Sequence, residues 1–476
     1  MEKGNKKIIR GWVFYDWANS VYNLVISSAI FPIFFETVTT NAYKERIHPN
    51  LSPEELKLIS VRTEDVTSFF FGMEMTSSVL YSYILSASFL VVSFLSPILS
   101  GIADYSGKKK LFMKIFCYIG ALSCGGLFFF DPGNMEMSML PFFLASIGFW
   151  GSLVFYNSFL PEIALRKDHD RVSAKGFSMG YFGSMLLLIM CLVWNKVLGF
   201  DIQYCFLFVG IWWVGFSQIT YSVLPSNVYN RKPEKGMLWK GFRELKMVYA
   251  EFRTIKPLKR FITSFFFFNT GVQTVMLMAT LYASREIFKI PEEIRKTLTA
   301  DEISTREGQA TAGLIIAILL IQILGALGAF LISRLSTKLG NIPALTLVVL
   351  FWVPLCVFAY FITVGAHTQF YILASGVGLV MGGAQSLSRS TYAKLLPDTK
   401  DHASYFSFFD VTEKIGIVLG TFFFGFMEYV MGDIRASILS VIFFFAMGLV
   451  LLFRVPRKAT APRSESSGPV ELEIDA

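Results

Sequence analysis

Apolar residues run along this chain in long blocks, and polar residues separate them in shorter ones. A helix needs roughly 20 mostly apolar residues to cross a bilayer core. Twelve segments meet that length: 11–36, 79–103, 111–131, 138–160, 174–198, 202–224, 260–284, 309–333, 342–364, 369–391, 404–428 and 434–454. The pattern predicts an all-α integral membrane protein of two six-helix halves, 1–224 and 260–455. A basic linker, 225–259, joins them, and a tail, 456–476, follows. In the linker, Leu238, Phe242, Leu245, Tyr249 and Phe252 recur at helical spacing, with Lys240, Arg243 and Lys246 on other faces. Two readings stand there: an amphipathic helix on the inner membrane surface, or an ordinary basic linker. The tail "RKATAPRSESSGPVELEIDA" is polar and Pro/Ser-bearing, a composition that favours disorder.

Composition agrees with the spans. The chain is 54% hydrophobic and only 16% charged, with mean hydropathy +0.53, whereas soluble domains carry about 25% charged residues. The net charge of +8 does not point to nucleic acid, because the basic residues sit in short loops between apolar runs. Lys3, Lys6, Lys7 and Arg10 precede the first span. "YSGKKK" follows the second, and Arg166, Lys167 and Arg171 follow the fourth. Residues 225–260 hold ten Lys/Arg against three Glu, and Arg454, Arg457, Lys458 and Arg463 close the chain. The alternate loops "DPGNMEM", "VGAHTQ" and "EYVMGD" are acidic or neutral. Basic loops stay inside, so both termini are expected in the cytoplasm. The long outer loops 37–78 and 285–308 contain more acids than bases and weigh less in that rule. The opening "MEKGNKKIIR" looks like the front of a signal peptide. The run after it is too long and lacks a small-residue cleavage site, so it reads as a retained span. The five cysteines lie in apolar segments without CxxC spacing, as small buried side chains do, and the histidines show no metal-ligand spacing. No metal and no cofactor is expected.

Polar groups inside spans usually face the bundle interior or a water-filled cavity. In the first span Asp16, Asn19, Ser20, Asn23 and Ser27 fall on one face, a stripe about 120° wide. Asp16 lies ~9 Å inside Arg10 along the helix. The seventh span carries Asn269, Gln273, Met276 and Thr280 on one face, and the tenth brings Gln385, Ser388 and Arg389. Tyr156 and Asn157 end the fourth. In the eleventh, Asp410 and Lys414 are one helical turn apart and can neutralise each other, with Glu413 beside them. The candidate substrate or ion pathway is Asp16, Asn19, Asn23, Tyr156, Asn157, Asn269, Gln273, Gln385, Arg389, Asp410 and Lys414. Asp16 has three open roles: proton carrier, ligand for a substrate amine, or partner of Arg389 or Lys414. Asp410–Lys414 reads first as a structural or gating pair. Arg389 has the competing reading of a side chain that snorkels to the headgroups.

The two halves echo each other. "FYNSFLPE" ends the fourth span and "TYAKLLPD" the tenth, pairing Tyr156 with Tyr392 and Pro161 with Pro397. "YDWANSV" can be laid on "NTGVQTV", pairing Asp16 with Thr270, Asn19 with Gln273 and Ser20 with Thr274.

After the second span, "GIADYSGKKK" closely resembles the G-x-x-x-D-x-x-G-[RK]-x-[RK] loop of major facilitator transporters. Gly101, Asp104, Gly107 and Lys108 are its candidate gating residues. The resemblance implies that Asp104 contacts a neighbouring helix start and basic groups, and so stabilises the outward-facing state. The second half keeps Gly340 but has Thr337 where the acid would stand. "GWVFYDWANSVYNLVISSAIFPIFF" looks like the opening helix of the vacuole-effluxer-like branch of that superfamily, through Trp12, Tyr15, Asp16, Ala18, Asn19, Ser20 and Pro32. "GGAQSLSRSTYAKLLP" and "EKIG" are similar to it as well. Members of the branch often carry an acid beside the span-seven asparagine, where this chain has Thr270. If that acid serves ion coupling in relatives, the coupling is in question here.

The resemblance implies a twelve-helix transporter whose best-known fungal members export amino acids from the vacuole. The expected function is secondary transport of a small polar solute, an amino acid or similar metabolite, by alternating access and with proton coupling as an option. The alternatives are a lipid or amphiphile transporter, or a non-transporting receptor or scaffold on the same fold. A compact chain without large insertions is similar to the bacterial members, which places it in a bacterial cytoplasmic membrane as a monomer. No nucleotide-phosphate loop and no enzymatic acid/base, nucleophile or metal motif stands out.

Overall fold

The computed structural model describes residues 3–52, 55–56, 59, 61, 65–226, 237–295 and 297–457. Residues 458–476 of the expected tail (456–476) and residues 227–236 of the linker lie outside them. Among the described residues, twelve helices are long and apolar enough to cross a membrane. They are α1 (Lys6–Ile47), α2 (Ser77–Ser106), α3 (Lys109–Phe129), α4 (Met135–Ile163), α5 (Arg166–Val197) and α6 (Tyr204–Val223). The second set is α7 (Lys256–Glu286), α8 (Asp301–Leu339), α9 (Asn341–Phe361), α10 (His367–Leu395), α11 (His402–Met431) and α12 (Ile434–Leu452). An even number of crossings puts the described ends on one face of the bundle, called the terminal face below.

Helix pairing repeats with a step of six. α1 packs on α5 and α6, and α7 packs on α11 and α12. α4 packs on α2 and α3, as α10 does on α8 and α9, and α3·α6 is matched by α9·α12. Between the halves, α5 meets α8 and α10, while α11 meets α2 and α4. Small residues let backbones approach where there is no hydrophobic drive between helices. Gly176 and Gly180 of α5 receive Asp16 and Ser20 of α1. Gly416 and Gly420 of α11 receive Thr270 and Thr274 of α7 in the same way. The structure therefore keeps the pairing of Asp16 with Thr270 and Ser20 with Thr274.

Two elements exceed the hydropathy blocks. α1 continues past residue 36 to Ile47, and a hairpin follows it, β1 (Thr67–Phe70) against β2 (Met73–Thr76). Phe71 (φ 48°) and Gly72 (φ 75°) make its two-residue turn, both left-handed as a tight primed turn requires. Within α1, Tyr22–Ala29 is π-helical. Pro32 cannot donate to the carbonyl four residues back and its ring crowds that carbonyl, and the wider turn stands just before it. The linker forms a helix, Met237–Thr254, that packs on α2, α7 and α11. Val248 and Phe252 are its buried face, with Phe252 and Tyr249 against Phe408. The side chains of Leu238, Lys240 and Phe242 lie outside the described residues. All five cysteines are free and buried.

Candidate functional site

Between the halves lies a cavity of about 190 Å³. α1, α4 and α5 line it from one half, and α7, α8, α10 and α11 from the other. Asp16, Asn19, Asn23, Asn157, Asn269, Gln273, Gln385 and Arg389 all reach its wall. Tyr156 stands just behind, its hydroxyl donating to Asp16 Oδ2 at 2.7 Å. Asp410 and Lys414 are buried away from the wall, whereas Glu413 is on it. Ser28 lines the cavity in place of the expected Ser27. The π-helical turn explains this, since an extra residue per turn rotates everything after Asn23.

Arg389 does not snorkel: it is 3% exposed and its guanidinium is held by the opposite half. Nη2 and Nη1 donate to Asp16 Oδ2 at 3.2 and 3.3 Å, and Nη1 donates to Asn157 Oδ1 at 3.2 Å. Nε donates to Ser173 Oγ and Nη2 to Ser173 O, both at 2.9 Å. Trp12, Tyr156 and Phe177 surround it, with ring centroids 4.9, 5.5 and 4.2 Å from Cζ. Charged hydrogen bonds and ring faces offset the cost of burying the cation. Gly176 leaves the room for this: a Cβ there would overlap Asp16 Oδ2 and lie 2.8 Å from Arg389 Nη2. Asp16 pairs with Arg389 in this arrangement, and Lys414 pairs with Asp410 at 2.8 Å as the spacing foretold.

The cavity wall also holds polar groups with spare valence. Asn19 Nδ2 and Asn269 Nδ2 have no hydrogen-bond partner among the described residues. Buried donors left this way cost free energy that a bound polar group recovers. Gln273 instead donates to Glu413 Oε1 at 2.6 Å, and Tyr181 donates to Gln385 Oε1 at 2.9 Å across the halves.

The terminal face is shut by polar bonds between the halves. Asp104 accepts backbone N–H bonds from Ala403 (3.2 Å) and Ser404 (2.7 Å) at the start of α11. A helix N-terminus favours such an anion. Its lysine partner is Lys109 at 2.9 Å, the residue after the candidate gating residue Lys108. Lys109 also meets Glu162 at 2.5 Å, which His402 approaches at 3.2 Å. Gly101 is buried one turn before Asp104, and Gly107 (φ 72°) makes the left-handed turn that ends α2. The second latch has its acid on the other side. Thr337, expected in the acid's place, is exposed, and Ser336 faces the interface. The acid there is Asp170 of α5, bonded by Ser336 Oγ (2.9 Å), Asn341 Nδ2 (2.7 Å) and Lys394 Nζ (2.6 Å). Sequence reasoning missed Asp170, although an acid in a first helical turn was the available signal. At the opposite face the described ion pairs stay within one half: Arg46–Glu74 in the first, Arg285–Glu428 and Arg435–Glu286 in the second.

The family profile described as "Vacuole effluxer Atg22 like" matches residues 4–463. The chain belongs to the Atg22-like family. Among its relatives, an uncharacterized MFS-type transporter, YxiO, of Bacillus subtilis is 26% identical over 99% of this chain and 100% of its own length. Autophagy-related protein 22 of Saccharomyces cerevisiae is 25% identical over 94% of this chain and 90% of its own. The fold is that of the human organic anion transporter MFSD10 (TETRAN), with a TM-score of 0.64 at 11% identity, covering 95% of this chain and 100% of that one. A bacterial homologue of the iron transporter ferroportin, solved outward-facing, matches with a TM-score of 0.57 at 12% identity over 94% and 98%. This Atg22-like chain is thus a multi-pass major facilitator transporter, and its relatives are transporters rather than enzymes.

Proposed function

We propose that this transporter moves a small polar solute, an amino acid or similar metabolite, by alternating access, with a proton as the coupling ion. The observation that carries the reading is the cavity between the halves, with the Asp16–Arg389 pair at its terminal-face end and unpaired amide donors of Asn19 and Asn269 on its wall. A solute carrying a carboxylate and an amine finds complementary groups there: Arg389 for one, Asp16 or Glu413 for the other. A lipid-moving transporter would favour an apolar groove open to the bilayer. This cavity instead carries charged and amide groups, which supports a polar solute. Basic loops on the terminal face support a cytoplasmic location for both termini. On that orientation the present state, latched at the terminal face, is the outward-facing one. The end-to-end match to the Bacillus subtilis relative supports a bacterial cytoplasmic membrane.

The test is flux in proteoliposomes under an imposed proton gradient, across a solute panel that includes the amino acids. At least one solute is expected to move, and Arg389→Met is expected to abolish its movement. No gradient-dependent flux across the panel would sink the proposal. A thermal-stability screen narrows the panel: a cavity ligand should stabilise the wild type and not Asp16→Asn.

A further inference from the structure

A smaller cavity lies at the terminal face, between the halves. It measures about 50 Å³, room for about four oxygen-sized atoms at the ~10–15 Å³ that one buried water occupies. Its walls come from the repeated motif. Pro161 and Pro397, equivalent positions of "FYNSFLPE" and "TYAKLLPD", both line it. So do Arg166 and His402, each five residues further on. The cavity therefore sits where the two copies of the motif face each other.

Its lining is mostly basic. Lys3, Arg166 and Lys394 stand against one acid, Asp398, which is exposed. Lys394 is already held by Asp170 at 2.6 Å and Asn341 at 2.9 Å. The other acids nearby are held as well, Glu162 by Lys109 and Asp168 by Arg171. Lys3 and Arg166 have no carboxylate partner among the described residues. Arg166 Nη2 donates to Lys394 O across the halves. Gly4 (φ 95°) donates its N–H to Ile163 O at 2.8 Å, which holds Lys3 beside the cavity.

A third group is buried. His169 is 3% exposed and lines the cavity. Its Nε2 lies 3.3 Å from Ala164 O, and a carbonyl can only accept, so Nε2 carries the proton. Nδ1 then presents a lone pair, and it has no partner among the described residues. Buried polar atoms are normally satisfied. His402, on the other wall, is used by Glu162 at 3.2 Å.

Two cations and one buried acceptor suit a tetrahedral anion that keeps a hydroxyl. We propose that this cavity binds hydrogen phosphate, and that the bound anion keeps the halves latched at the terminal face. Its charged oxygens accept from Lys3 and Arg166, and its P–OH donates to His169 Nδ1. Sulfate has the shape but no hydroxyl at neutral pH, and the phosphodiester of a phospholipid has none either. Both halves supply the walls, so the site comes apart when the terminal face opens. A ligand with that preference shifts the protein towards the closed arrangement. The site goes beyond the transport reading and does not depend on which solute the central cavity carries.

Thermal melts of the purified full chain in detergent test this, with inorganic phosphate titrated at neutral pH and constant ionic strength. No flux is measured, so either proposal can fail alone. Phosphate should raise the melting temperature saturably, and sulfate should act about tenfold more weakly. Lys3→Gln combined with Arg166→Gln should weaken phosphate about tenfold, because charged hydrogen bonds are lost. Asp398→Asn should tighten it, and His169→Phe should erase the preference over sulfate. If His169→Phe does not fold, the variants at the exposed positions decide. Hydrogen exchange at Ala403 and Ser404, whose N–H groups close the latch on Asp104, should slow when phosphate is added. Equal shifts with sulfate, a response that survives the Lys3/Arg166 double variant, weaker binding in Asp398→Asn, stabilisation by phosphatidylglycerol vesicles but not by phosphate, or unchanged exchange at Ala403 and Ser404 each overturns the proposal.

Discussion

The α1·α5 and α7·α11 seams are the same packing solution used twice, with opposite electrostatics. Each sets two side chains one turn apart over two glycines one turn apart. In the first seam one of those side chains is Asp16, and its cation, Arg389, comes from the other half. In the second, Thr270 and Thr274 bond carbonyls of their own helix, Phe266 O at 2.6 Å and Thr270 O at 2.7 Å. The charges there lie on α11, where Lys414 and Asp410 travel together. The first seam's ion pair depends on how the halves sit, while the second seam's pair survives any arrangement of them. The terminal-face latches show the same inversion. One keeps its acid, Asp104, at the end of α2, and the other draws Asp170 from the opposite half.

The comparison can be broken most severely at Lys414. Lys414→Met leaves Asp410 buried without a cation, and removing one partner of a buried pair costs about 3–5 kcal/mol. The melting temperature in detergent should fall further than for Asp16→Asn or any latch variant, and an unchanged one would show that the pair is wetter than its burial implies. Asp16→Asn is expected to cost less, about 2–3 kcal/mol, because Arg389 keeps Asn157, Ser173 and its three rings. The latches can be sharpened by moving an acid. Ser336→Asp sets a second carboxylate against Asp170 and should cost about 1–3 kcal/mol. Adding Asp170→Ser should recover most of that, so a double-mutant cycle that comes out additive would refute the proposed opposition. Thr270→Ala is the mildest of the seam changes, about 1 kcal/mol, since it loses a bond to its own helix and some packing over Gly416 and Gly420 but leaves no charge unpaired. Thr337→Asp, on the exposed face, should stay within about 0.5 kcal/mol.

Much of this was legible in the residue pattern. Spans follow from apolar length, the α1 stripe from 100° spacing, and the Asp410–Lys414 pair from its four-residue separation. The glycine seams were half visible, through the match of "YDWANSV" to "NTGVQTV". What escaped depended on rotation and on partners distant in sequence. Glu413 read as a flanking acid because only the setting of α11 decides which of its charged residues meets the cavity. Asp170 escaped because its partners, Ser336, Asn341 and Lys394, belong to the other half. Arg389 sits near the end of its span, where a headgroup position is as natural as a buried one until Asp16 is placed beside it. The extension of α1 to Ile47 was hidden because polar residues after 36 look like a loop, yet they continue the helix.

The π-helical stretch in α1 has a mechanical meaning. A helix with one surplus residue in a turn is not a single rigid rod. It is two rods joined by a slack coupling, and taking up or releasing that residue turns one rod against the other by roughly 100° and slides it by about 1.5 Å without a bend. The coupling lies between the Asp16 end, clamped on Gly176 and Gly180, and the Ile30–Ile47 segment that runs on towards the hairpin. Turning the far end of α1 would therefore strain the packing of Phe31, Phe34 and Phe35 on Phe130, Phe142 and Phe206, while the clamped end keeps its grip.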